Sequence, residues 1–501
     1  MADRSRLIVV SNRLPVTLTG GEEEGWRLEP GSGGLVTALA PVLSHRGGLW
    51  IGWPGQAVEP GGDWEAVLHE GFREQGYDLA PVLLSEEEVD GFYYGFSNSV
   101  LWPLFHDLAT ACDFNPSFWY AYLGVNRKFA AAVVERSAAG DFVWVQDYQL
   151  IHAAEQVRER GADRRLGFFL HIPFPPPDIF QRLPWRGQVL AALLAYDLIG
   201  FQTLRDLRNF LACADRWLPD VEVGEENGGV ATLAIGDREL AAGAFPIGID
   251  YRAFHATATS EDTRRRMNEL RVRLGNRRIV LGVDRLDYTK GLPERLLAFE
   301  KALECHPGLR EEVVLVQLVV PSRENVPEYR ELKSRLDELV GRINGRYSTA
   351  GWAPVHYLYR SLPRQDLVAL YRLARVGFVT SLKDGMNLVA KEFCACQSDD
   401  DPGALVLSEF AGAAAQLADG ALVVNPHHVE ETADVLAGAL ELPVDERRRR
   451  SEAMRRVIAE QDIFWWVERF LGVALGDGAE MLETLRDYVP RLDTADSWAA
   501  V

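Results

Sequence analysis

The chain has 501 residues, of which 47% are hydrophobic and 25% charged, a composition typical of a soluble globular protein. This length exceeds one average domain, so we expect two domains. The formal net charge of −20 at pH 7 argues against nucleic acid or an anionic membrane as a partner, since both attract basic surfaces. Binding of a small anionic substrate remains possible, because it needs only a local cluster of cations.

Neither the N-terminus nor the cysteine pattern indicates secretion. The apolar run at residues 7–10 is too short for a signal peptide and predicts a first strand. No apolar run reaches the roughly 18 residues of a membrane-spanning helix. The cysteines contain no CxxC pair, so we expect reduced, mostly buried thiols in a cytoplasmic protein, without a metal site or a cofactor. They are Cys112, Cys213, Cys305, Cys394 and Cys396.

Short apolar runs separated by helical patterns recur along the chain. They lie at residues 7–10, 142–145, 167–172, 198–201, 279–283, 313–320, 376–380, 404–408 and 421–424. Runs such as VVLVQLVV show little alternation with polar residues, which is typical of strands buried on both faces of a parallel sheet. Strands that alternate with helices predict βαβ units and therefore doubly wound α/β sheets.

The apolar runs fall into two sets, and the extended segment AFPIGID (244–250) separates them. We therefore expect one Rossmann-like domain at 1–248 and a second at 249–460. The remaining segment, 461–501, is predicted to be helical. Whether it crosses back to pack on the first domain is left open. Ligands of doubly wound sheets bind beyond the carboxyl ends of the strands, so the cleft between the domains is the expected site.

In the first half of the chain, polar residues and glycines at strand ends are the candidates for binding. Gly33 and Gly34 form a turn that enters a helix and favours an anion, with a plain turn as the alternative. Arg13 ends the first strand and is either an anion contact or part of a surface salt bridge. Asp147 and His171 end later strands, although a lone histidine there is also compatible with a structural role.

Aromatic residues of the first half cluster in WIGWPG (50–55), FYYGFSN (92–98) and LWP (101–103). Tyrosine and tryptophan faces pack against the C–H groups of sugars, while the tyrosine hydroxyl bonds to sugar hydroxyls. The alternative for each ring is a place in the core.

In the second half, VDRLDYTKG (283–291) places Arg285 and Lys290 at a strand end beside a helix start. Two cations and a helix N-terminus suit a diphosphate, whereas neutralisation by Asp284 and Asp287 is the alternative. Arg323 follows the next strand and adds a cation at an equivalent strand end.

The segment SLKDGMNLVAKEF (381–393) contains a third candidate group. Asp384 precedes a helix whose first N–H groups suit an anion. Glu392 lies about two turns further along this helix and suits sugar or ribose hydroxyls. A salt bridge from Glu392 to Lys391 or Lys383 is the alternative.

Taken together, these motifs resemble those of the trehalose-6-phosphate synthases, which are retaining glycosyltransferases of the GT-B fold. The matching strings keep the family's order from SNR (11–13) to beyond NPHH (425–428): GFSN, LWP, FFLHIPFP, GVDRLDYTKG, RINGRY, DGMNLVAKE and LSEFAGAA. The resemblance implies an α/β GT-B fold, with two doubly wound Rossmann-like domains and the active site in the interdomain cleft. It implies transfer of glucose from a nucleoside-diphosphate glucose to glucose 6-phosphate with retention, giving α,α-trehalose 6-phosphate.

The resemblance also implies individual roles. The residues implied to bind the acceptor are Arg13, Tyr93, Trp102, Asp147 and Arg323. The residues implied to bind the donor are Gly33, Gly34, His171, Arg285, Lys290, Leu362, Asp384, Asn387, Leu388, Val389 and Glu392. Those implied to be catalytic are Arg285, Lys290, His171 and Asp147. No metal is implied.

The sequence departs from the commonest family pattern at two places. Gln146-Asp147-Tyr148-Gln149 stands where many relatives have His-Asp-Tyr-His, and Leu362 stands where some have Phe. The second difference leaves the nucleobase open among UDP-, GDP- and ADP-glucose. There are two alternatives: a pseudo-glycosyltransferase that couples cyclitols, and a catalytically silent sugar-phosphate sensor. Both are disfavoured because Arg285 and Lys290, which we call the diphosphate clamp, are intact. A homo-oligomer stays open.

Overall fold

The computed structural model describes residues 6–21, 25–31, 34–58, 62–68, 76–323 and 326–476, together with residues 485 and 488. The described chain divides into two compact units. Unit 1 extends to Asp250 and includes the later segment that starts at Gln461, while unit 2 comprises Tyr251–Glu460. The division at Asp250 lies two residues from the boundary expected after residue 248.

Unit 1 is built on a nine-stranded sheet in the order β5-β4-β1-β6-β7-β8-β11-β10-β9. Pairing is parallel from β5 to β11, whereas β10 runs antiparallel to both β11 and β9. Strands β2 and β3 form a separate antiparallel pair. The strands are β1 (Leu7–Arg13), β2 (Val16–Thr19), β3 (Arg27–Pro30), β4 (Leu49–Trp53), β5 (Asp78–Pro81), β6 (Phe142–Gln146), β7 (Arg165–Phe169), β8 (Leu198–Phe201), β9 (Val221–Val223), β10 (Val230–Ile235) and β11 (Arg238–Ala244).

The helices of unit 1 pack beside this sheet, and a π-helix at Val89–Leu101 interrupts the α-helical pattern. Asn115 caps the longest helix, because its side chain accepts the N–H of Ser117 and leaves Pro116 at the first helical position. The α-helices are α1 (Gly34–Arg46), α2 (Glu86–Glu88), α3 (Trp102–Phe105), α4 (Pro116–Arg136), α5 (Ala153–Glu159), α6 (Pro177–Phe180), α7 (Arg186–Leu193) and α8 (Leu204–Trp217).

Unit 2 is built on a six-stranded, all-parallel sheet in the order β14-β13-β12-β15-β16-β17. Its strands are β12 (Arg278–Arg285), β13 (Val313–Val320), β14 (Val355–Tyr359), β15 (Val376–Val379), β16 (Ala404–Ser408) and β17 (Leu422–Val424). Its helices are α9 (Tyr251–Thr259), α10 (Glu261–Arg273), α11 (Leu292–Cys305), α12 (Pro327–Tyr347), α13 (Arg364–Leu373), α14 (Leu388–Ala395), α15 (Ala414–Leu417), α16 (Val429–Glu441) and α17 (Val444–Glu460).

Central strands of both sheets are buried along their length, as the unbroken apolar runs predict. In VVLVQLVV, which forms β13, every residue except the last is buried. Such strands have a helix on each face, so both rows of side chains face a core. The predicted fold class, two doubly wound Rossmann-like α/β units, is confirmed.

In each sheet the first strand lies in the interior, and later strands are added first on one side of it and then on the other. The change of side falls between β1 and β6 in unit 1, and between β12 and β15 in unit 2. The loops that leave these two neighbouring strands diverge, which opens a crevice at the carboxyl edge of the sheet. Polar residues at this edge are therefore the ones best placed to meet a ligand.

The helix α18 (Ile463–Leu475) belongs to unit 1, although it follows unit 2 in the sequence. Its start is fixed by Asp462, whose side chain accepts the N–H groups of Phe464 and Trp465. The ring of Phe470 stacks on Trp144 of β6 with centroids 4.4 Å apart. A Cβ atom at Gly167 would lie 3.0 Å from the Phe470 ring, so a glycine at this point of β7 makes room for the helix.

All five cysteines are free thiols. Cys213, Cys394 and Cys396 are buried, Cys112 is partly buried and Cys305 is exposed. Burial raises the pKa of Cys394 to about 12, which keeps this thiol protonated and unreactive at neutral pH.

None of the helices in the described part of the chain is both long enough and apolar enough to span a bilayer.

We predict that Phe470→Ala lowers the free energy of unfolding of unit 1 by about 3–5 kcal/mol, because it removes a fully buried ring and leaves a cavity beside Trp144. Urea denaturation followed by tryptophan fluorescence measures the change. Glu468→Ala, at an exposed position of the same helix, is the control and is expected to alter stability by less than about 0.5 kcal/mol. Equal effects of the two substitutions would contradict the packing described for α18.

Candidate active site

Arg13 ends β1 at the switch point of unit 1, and its residue is exposed. Its guanidinium carbon lies 4.7 Å from the ring centre of Trp53 and 5.7 Å from that of Tyr93. A cation at this distance is attracted by the negative face of an aromatic ring. Among the described residues, no acidic side chain forms an ion pair with Arg13, and the two aromatic rings are its nearest charge-stabilising contacts.

Tyr93 lies within the π-helix Val89–Leu101, and Trp102 follows directly after it. The side-chain amide of Asn98 donates to the carbonyl of Tyr93 at 2.7 Å and accepts from the hydroxyl of Tyr148 at 2.9 Å. The ring centre of Trp102 lies 5.8 Å from that of Tyr148. Through these contacts the π-helix packs against the turn that follows β6. π-Helical segments occur frequently at functional sites.

Asp147, the residue after β6, has a strained backbone with φ 73° and ψ 168°. This region is almost restricted to glycine, and another residue there costs about 1–3 kcal/mol. The conformation is held because its N–H donates to the carbonyl of Phe169 at 2.8 Å. Its Oδ1 accepts the backbone N–H of His171 at 3.1 Å. Backbone strain of this kind clusters at functional sites, which makes Asp147 a candidate for a functional role.

The ring of His171 lies between two side-chain amides at the ends of neighbouring strands. Its Nε2 lies 2.9 Å from Oε1 of Gln146, and its Nδ1 lies 3.4 Å from Nε2 of Gln202. Burial lowers the pKa of His171 to about 3, so the ring is neutral at physiological pH.

In unit 2, β12 ends at the exposed Arg285, and the residue before it forms a buried ion pair. Oδ2 of Asp284 accepts from the guanidinium of Arg295 at 2.5 Å, with the two side chains 3% and 0% exposed. Burial raises the pKa of Asp284, while the charge of Arg295 acts against this shift. Asp284 therefore forms its ion pair with Arg295 beneath the sheet edge, while Lys290 acts on it through charge without bonding to it.

The carboxylate of Asp287 contacts Tyr329 and Arg323, not the side chains of Arg285 and Lys290. Oδ2 of Asp287 lies 3.3 Å from the hydroxyl of Tyr329 and 3.9 Å from the guanidinium of Arg323. The same guanidinium donates to the Tyr329 hydroxyl at 2.5 Å. Burial acts to raise the pKa of Asp287, but the nearby cations, Arg323 first among them, hold it below its ordinary value. Arg323 is thus held in place by a largely buried network.

Lys290 bonds to Asp384, a residue 94 positions further along the chain. The ammonium Nζ lies 2.6 Å from Oδ2 of Asp384, and the two side chains are 14% and 12% exposed. The same oxygen accepts the amide of Asn387 at 3.0 Å. The structure thus joins the loops that follow β12 and β15 at the switch point of unit 2, and it gives Lys290 a partner different from those considered in the sequence.

Helix α14 starts beside this ion pair and presents its N-terminus to the same edge. Asn387 caps it with φ 78°, and the Asn387 side chain accepts the N–H of Ala390 at 3.0 Å. The N–H groups of Leu388 and Val389 belong to the first turn and have no partner within the helix. Together with the helix dipole, they make a site suited to an anion next to Lys290.

Glu392 lies further along α14 and is half-buried. Its Oε2 accepts the hydroxyl of the buried Tyr371 at 2.9 Å. Burial raises the pKa of Glu392 to about 7, although the hydrogen bond from Tyr371 acts to lower it. This carboxylate therefore changes charge near physiological pH.

The remaining candidates are less closely defined. Leu362 is half-buried and lines a cavity of about 290 Å³ together with Leu358, Leu370 and Arg360. Gly34 is the first residue of α1, as the Gly-rich turn predicts. Gly33 lies outside the described residues.

The sequence of the chain matches the model of glycosyltransferase family 20 over residues 5–474. The chain belongs to glycosyltransferase family 20. The family resemblance deduced from the motifs is confirmed, and this family 20 member is a glycosyltransferase.

Two curated relatives are similar to the chain along almost its whole length. The chain is 45% identical over 469 residues to a trehalose-6-phosphate synthase of Mycolicibacterium vanbaalenii, a match that covers 93% of this chain and 94% of the relative. It is 44% identical over 486 residues to a trehalose-6-phosphate synthase of Mycobacterium avium, covering 95% and 96% of the two chains.

Solved structures agree with this assignment. An α,α-trehalose-phosphate synthase (UDP-forming) from Burkholderia xenovorans, in complex with glucose-6-phosphate, is 35% identical with a TM-score of 0.85, covering 94% of this chain and 100% of that one. A trehalose-6-phosphate structure from E. coli, bound with UDP-2-fluoro glucose, is 37% identical with a TM-score of 0.82, covering 94% and 99%.

Several residues that shape this family 20 site were not among the candidates from the sequence. They are Asn98, Gln202, Arg295, Tyr329 and Tyr371. Gln202 follows directly after a predicted strand, so the strand-end pattern that selected Asp147 also selects it. The others act from helices, where nothing in the sequence separates them from ordinary core residues.

We predict that Asp147→Gly is more stable than Asp147→Ala by about 1–3 kcal/mol, because only glycine relieves the strain of this backbone conformation. Both variants lack the carboxylate, so both are expected to lose activity, and the difference between their stabilities isolates the backbone. Urea or thermal denaturation of the two variants under identical conditions provides the measurement. An alanine variant at least as stable as the glycine variant would argue against the strain.

Proposed function

We propose that the chain transfers glucose from a nucleoside-diphosphate glucose to glucose 6-phosphate with retention, producing α,α-trehalose 6-phosphate and the nucleoside diphosphate. Membership of family 20 and similarity to trehalose-6-phosphate synthases along 93–95% of the chain support this activity. The observation that carries the proposal is the cluster at the switch point of unit 2, where Arg285, Lys290 and the start of α14 converge on one edge.

The donor diphosphate is assigned to this cluster. Arg285 is exposed and has no described ion-pair partner, and Lys290 adds a second cation. The N–H groups of Leu388 and Val389 supply further donors with a favourable dipole. Asp384 forms an ion pair with Lys290, and we assign the Asp384 carboxylate to the hydroxyls of the donor glucose. The ion pair at 2.6 Å then prevents Asp384 from repelling the diphosphate.

Chemistry at the anomeric carbon follows from this charge arrangement. Cleavage of the bond between glucose and the diphosphate moves negative charge onto the leaving group. Arg285, Lys290 and the N-terminus of α14 are placed to stabilise that charge, and such preorganised stabilisation is usually the largest contribution to catalysis. The leaving phosphate is the base that receives the proton of the acceptor hydroxyl in this proposal. His171 and Asp384 contact the donor glucose.

The acceptor, glucose 6-phosphate, is assigned to Arg13, Tyr93, Trp102, Asp147 and Arg323. Arg13 lies over two aromatic faces, and no acid among the described residues forms an ion pair with it, so we assign its charge to a phosphate. Arg323 is already oriented by the Tyr329 hydroxyl, so its guanidinium loses little freedom when it binds an anion. The strained Asp147 supplies an acceptor for sugar hydroxyls.

The ribose is assigned to Glu392, and the nucleobase to the segment that contains Leu362.

A donor panel tests the whole proposal: purified protein, glucose 6-phosphate and UDP-, GDP-, ADP- or TDP-glucose, with release of nucleoside diphosphate and formation of trehalose 6-phosphate measured. Product with at least one donor is the expected result. Failure with every donor would overturn the proposal. A cytoplasmic location and a homo-oligomer stay predictions, which cell fractionation and light scattering test.

We predict that Lys290→Ala lowers kcat at least about 100-fold, because it removes a cation from the leaving group and leaves the Asp384 carboxylate uncompensated. Steady-state kinetics with the best donor of the panel measure the loss. Lys301→Ala, on α11 of the same unit, is the matched control and is expected to retain normal turnover. Near-normal turnover of Lys290→Ala would remove Lys290 from the proposed clamp.

We predict that the KM for the donor rises about tenfold as the pH falls from about 8 to about 6, since a group with a pKa of about 7 loses its charge over this range. The ionised Glu392 accepts two ribose hydroxyls, whereas the protonated form accepts them less well. KM is measured at saturating glucose 6-phosphate. Glu392→Gln is expected to show a high and pH-independent KM, and a variant that keeps the wild-type pH profile would exclude Glu392 as its origin.

A further inference from the structure

Four neighbouring parallel strands of unit 1 end in a single hydrogen-bonded row. The strands β6, β7, β8 and β11 are neighbours in the sheet in this order. Gln146 ends β6, His171 follows β7, Gln202 follows β8 and Ile247 follows β11. Contacts run from Ile247 N to Gln202 Oε1 at 3.0 Å, from Gln202 Nε2 to His171 Nδ1 at 3.4 Å, and from His171 Nε2 to Gln146 Oε1 at 2.9 Å.

The direction of every hydrogen bond in this row is determined by its first member. A backbone N–H can only donate, so the Gln202 atom that faces Ile247 is the carbonyl oxygen. The amide nitrogen of Gln202 then faces His171 and donates, which makes Nδ1 of His171 the acceptor. A neutral imidazole with a free lone pair on Nδ1 carries its proton on Nε2, and this N–H donates to Gln146.

The surroundings of the His171 ring favour the neutral form. Gln146 and Gln202 are 0% and 2% exposed. The ring centres of Phe169 and Trp466 lie 4.7 and 6.2 Å away. Among the described residues, the carboxylate closest in the hydrogen-bond network is that of Asp147, and it bonds to the backbone N–H of His171, not to the ring. The low pKa of about 3 that burial gives His171 agrees with this arrangement.

We propose that Gln202 and Gln146 are positioning residues that hold His171 as the neutral Nε2–H tautomer, with Nδ1 as its acceptor nitrogen, and that glucosyl transfer requires this state. The functional part rests on the proposed function, in which His171 contacts the donor glucose. Positive charge develops at the anomeric carbon as the leaving group departs. A neutral ring does not oppose that charge, whereas an imidazolium would repel it.

The substitution Gln202→Glu reverses the direction of the row at its centre. An ionised carboxylate only accepts hydrogen bonds. One of its oxygens can accept the N–H of Ile247, but the other can bond to His171 only if Nδ1 carries a proton. Gln146 still accepts from Nε2–H. The variant therefore favours a doubly protonated, charged His171, and the nearby carboxylate stabilises that charge.

The ring state is read by ¹⁵N NMR of the full-length protein labelled in histidine, with the His171 signals identified by their loss in His171→Asn. We expect the wild-type ring to be protonated on Nε2 alone and not to titrate between about pH 5 and about pH 9. In Gln202→Glu both nitrogens are expected to be protonated at neutral pH. We expect kcat to fall at least about tenfold, with a smaller change in the KM for glucose 6-phosphate.

Two further variants separate positioning from folding. Gln202→Met keeps the size of the side chain but removes the donor, and it is expected to mix the two neutral tautomers without charging the ring. Gln156→Glu places the same charge change at another buried glutamine of unit 1, on α5, and is expected to leave the His171 signals unchanged.

A wild-type ring protonated on Nδ1 would overturn the proposal, as would unchanged His171 signals in both Gln202 variants. A charged ring in Gln202→Glu with wild-type kcat would overturn the requirement for the neutral state. Absence of trehalose 6-phosphate with every donor would instead overturn the proposed function, and the NMR result distinguishes that case because it does not depend on turnover.

Discussion

Both sheets place their first strand in the interior, and this constraint decides where polar side chains can gather. A residue within such a strand is covered by helices on both faces, so a charge there needs a buried partner, as Asp284 has in Arg295. Past the carboxyl end, where the strands on either side connect in opposite directions, the backbone is uncovered. Arg13 and Asp147 occupy this position in unit 1, and Lys290 and Asp384 occupy it in unit 2.

The distribution of buried charge explains how an acidic chain presents cations to an anion. The two aspartates nearest in sequence to Arg285 are held by other groups, Asp284 by Arg295 and Asp287 by the pair of Arg323 and Tyr329. Arg285 is left exposed because the carboxylates beside it are already compensated beneath the surface. Net charge and local charge are thus independent here: a chain with a net charge of −20 still presents exposed Arg285 at one sheet edge.

The sequence predicts the strands, the two-unit division and the polar strand ends, because these follow from periodicity and from the chemistry of parallel sheets. It does not predict which acid pairs with which base, since Lys290 and Asp384 lie 94 positions apart and several carboxylates compete in sequence. Backbone strain gives no sequence signal either. Among the described residues other than glycine, six have positive φ, and Asp147, Arg323 and Asn387 are three of them. Half of these residues thus lie at the candidate site, where surrounding contacts hold the strained backbone.

The π-helix has a consequence for how this region tolerates change. Its backbone N–H groups bond five residues back, as at Trp102, whose N–H reaches the carbonyl of Ser97, so the 13-residue segment has more residues per turn than an α-helix. Deleting one residue would rotate everything on one side of the deletion by about 100° relative to the other side. Tyr93 and Trp102 would then no longer keep their present contacts with Arg13 and Tyr148. Substitutions within GFSN alter one contact each, but a gap would alter all of them, so homologous chains should align here without insertions or deletions.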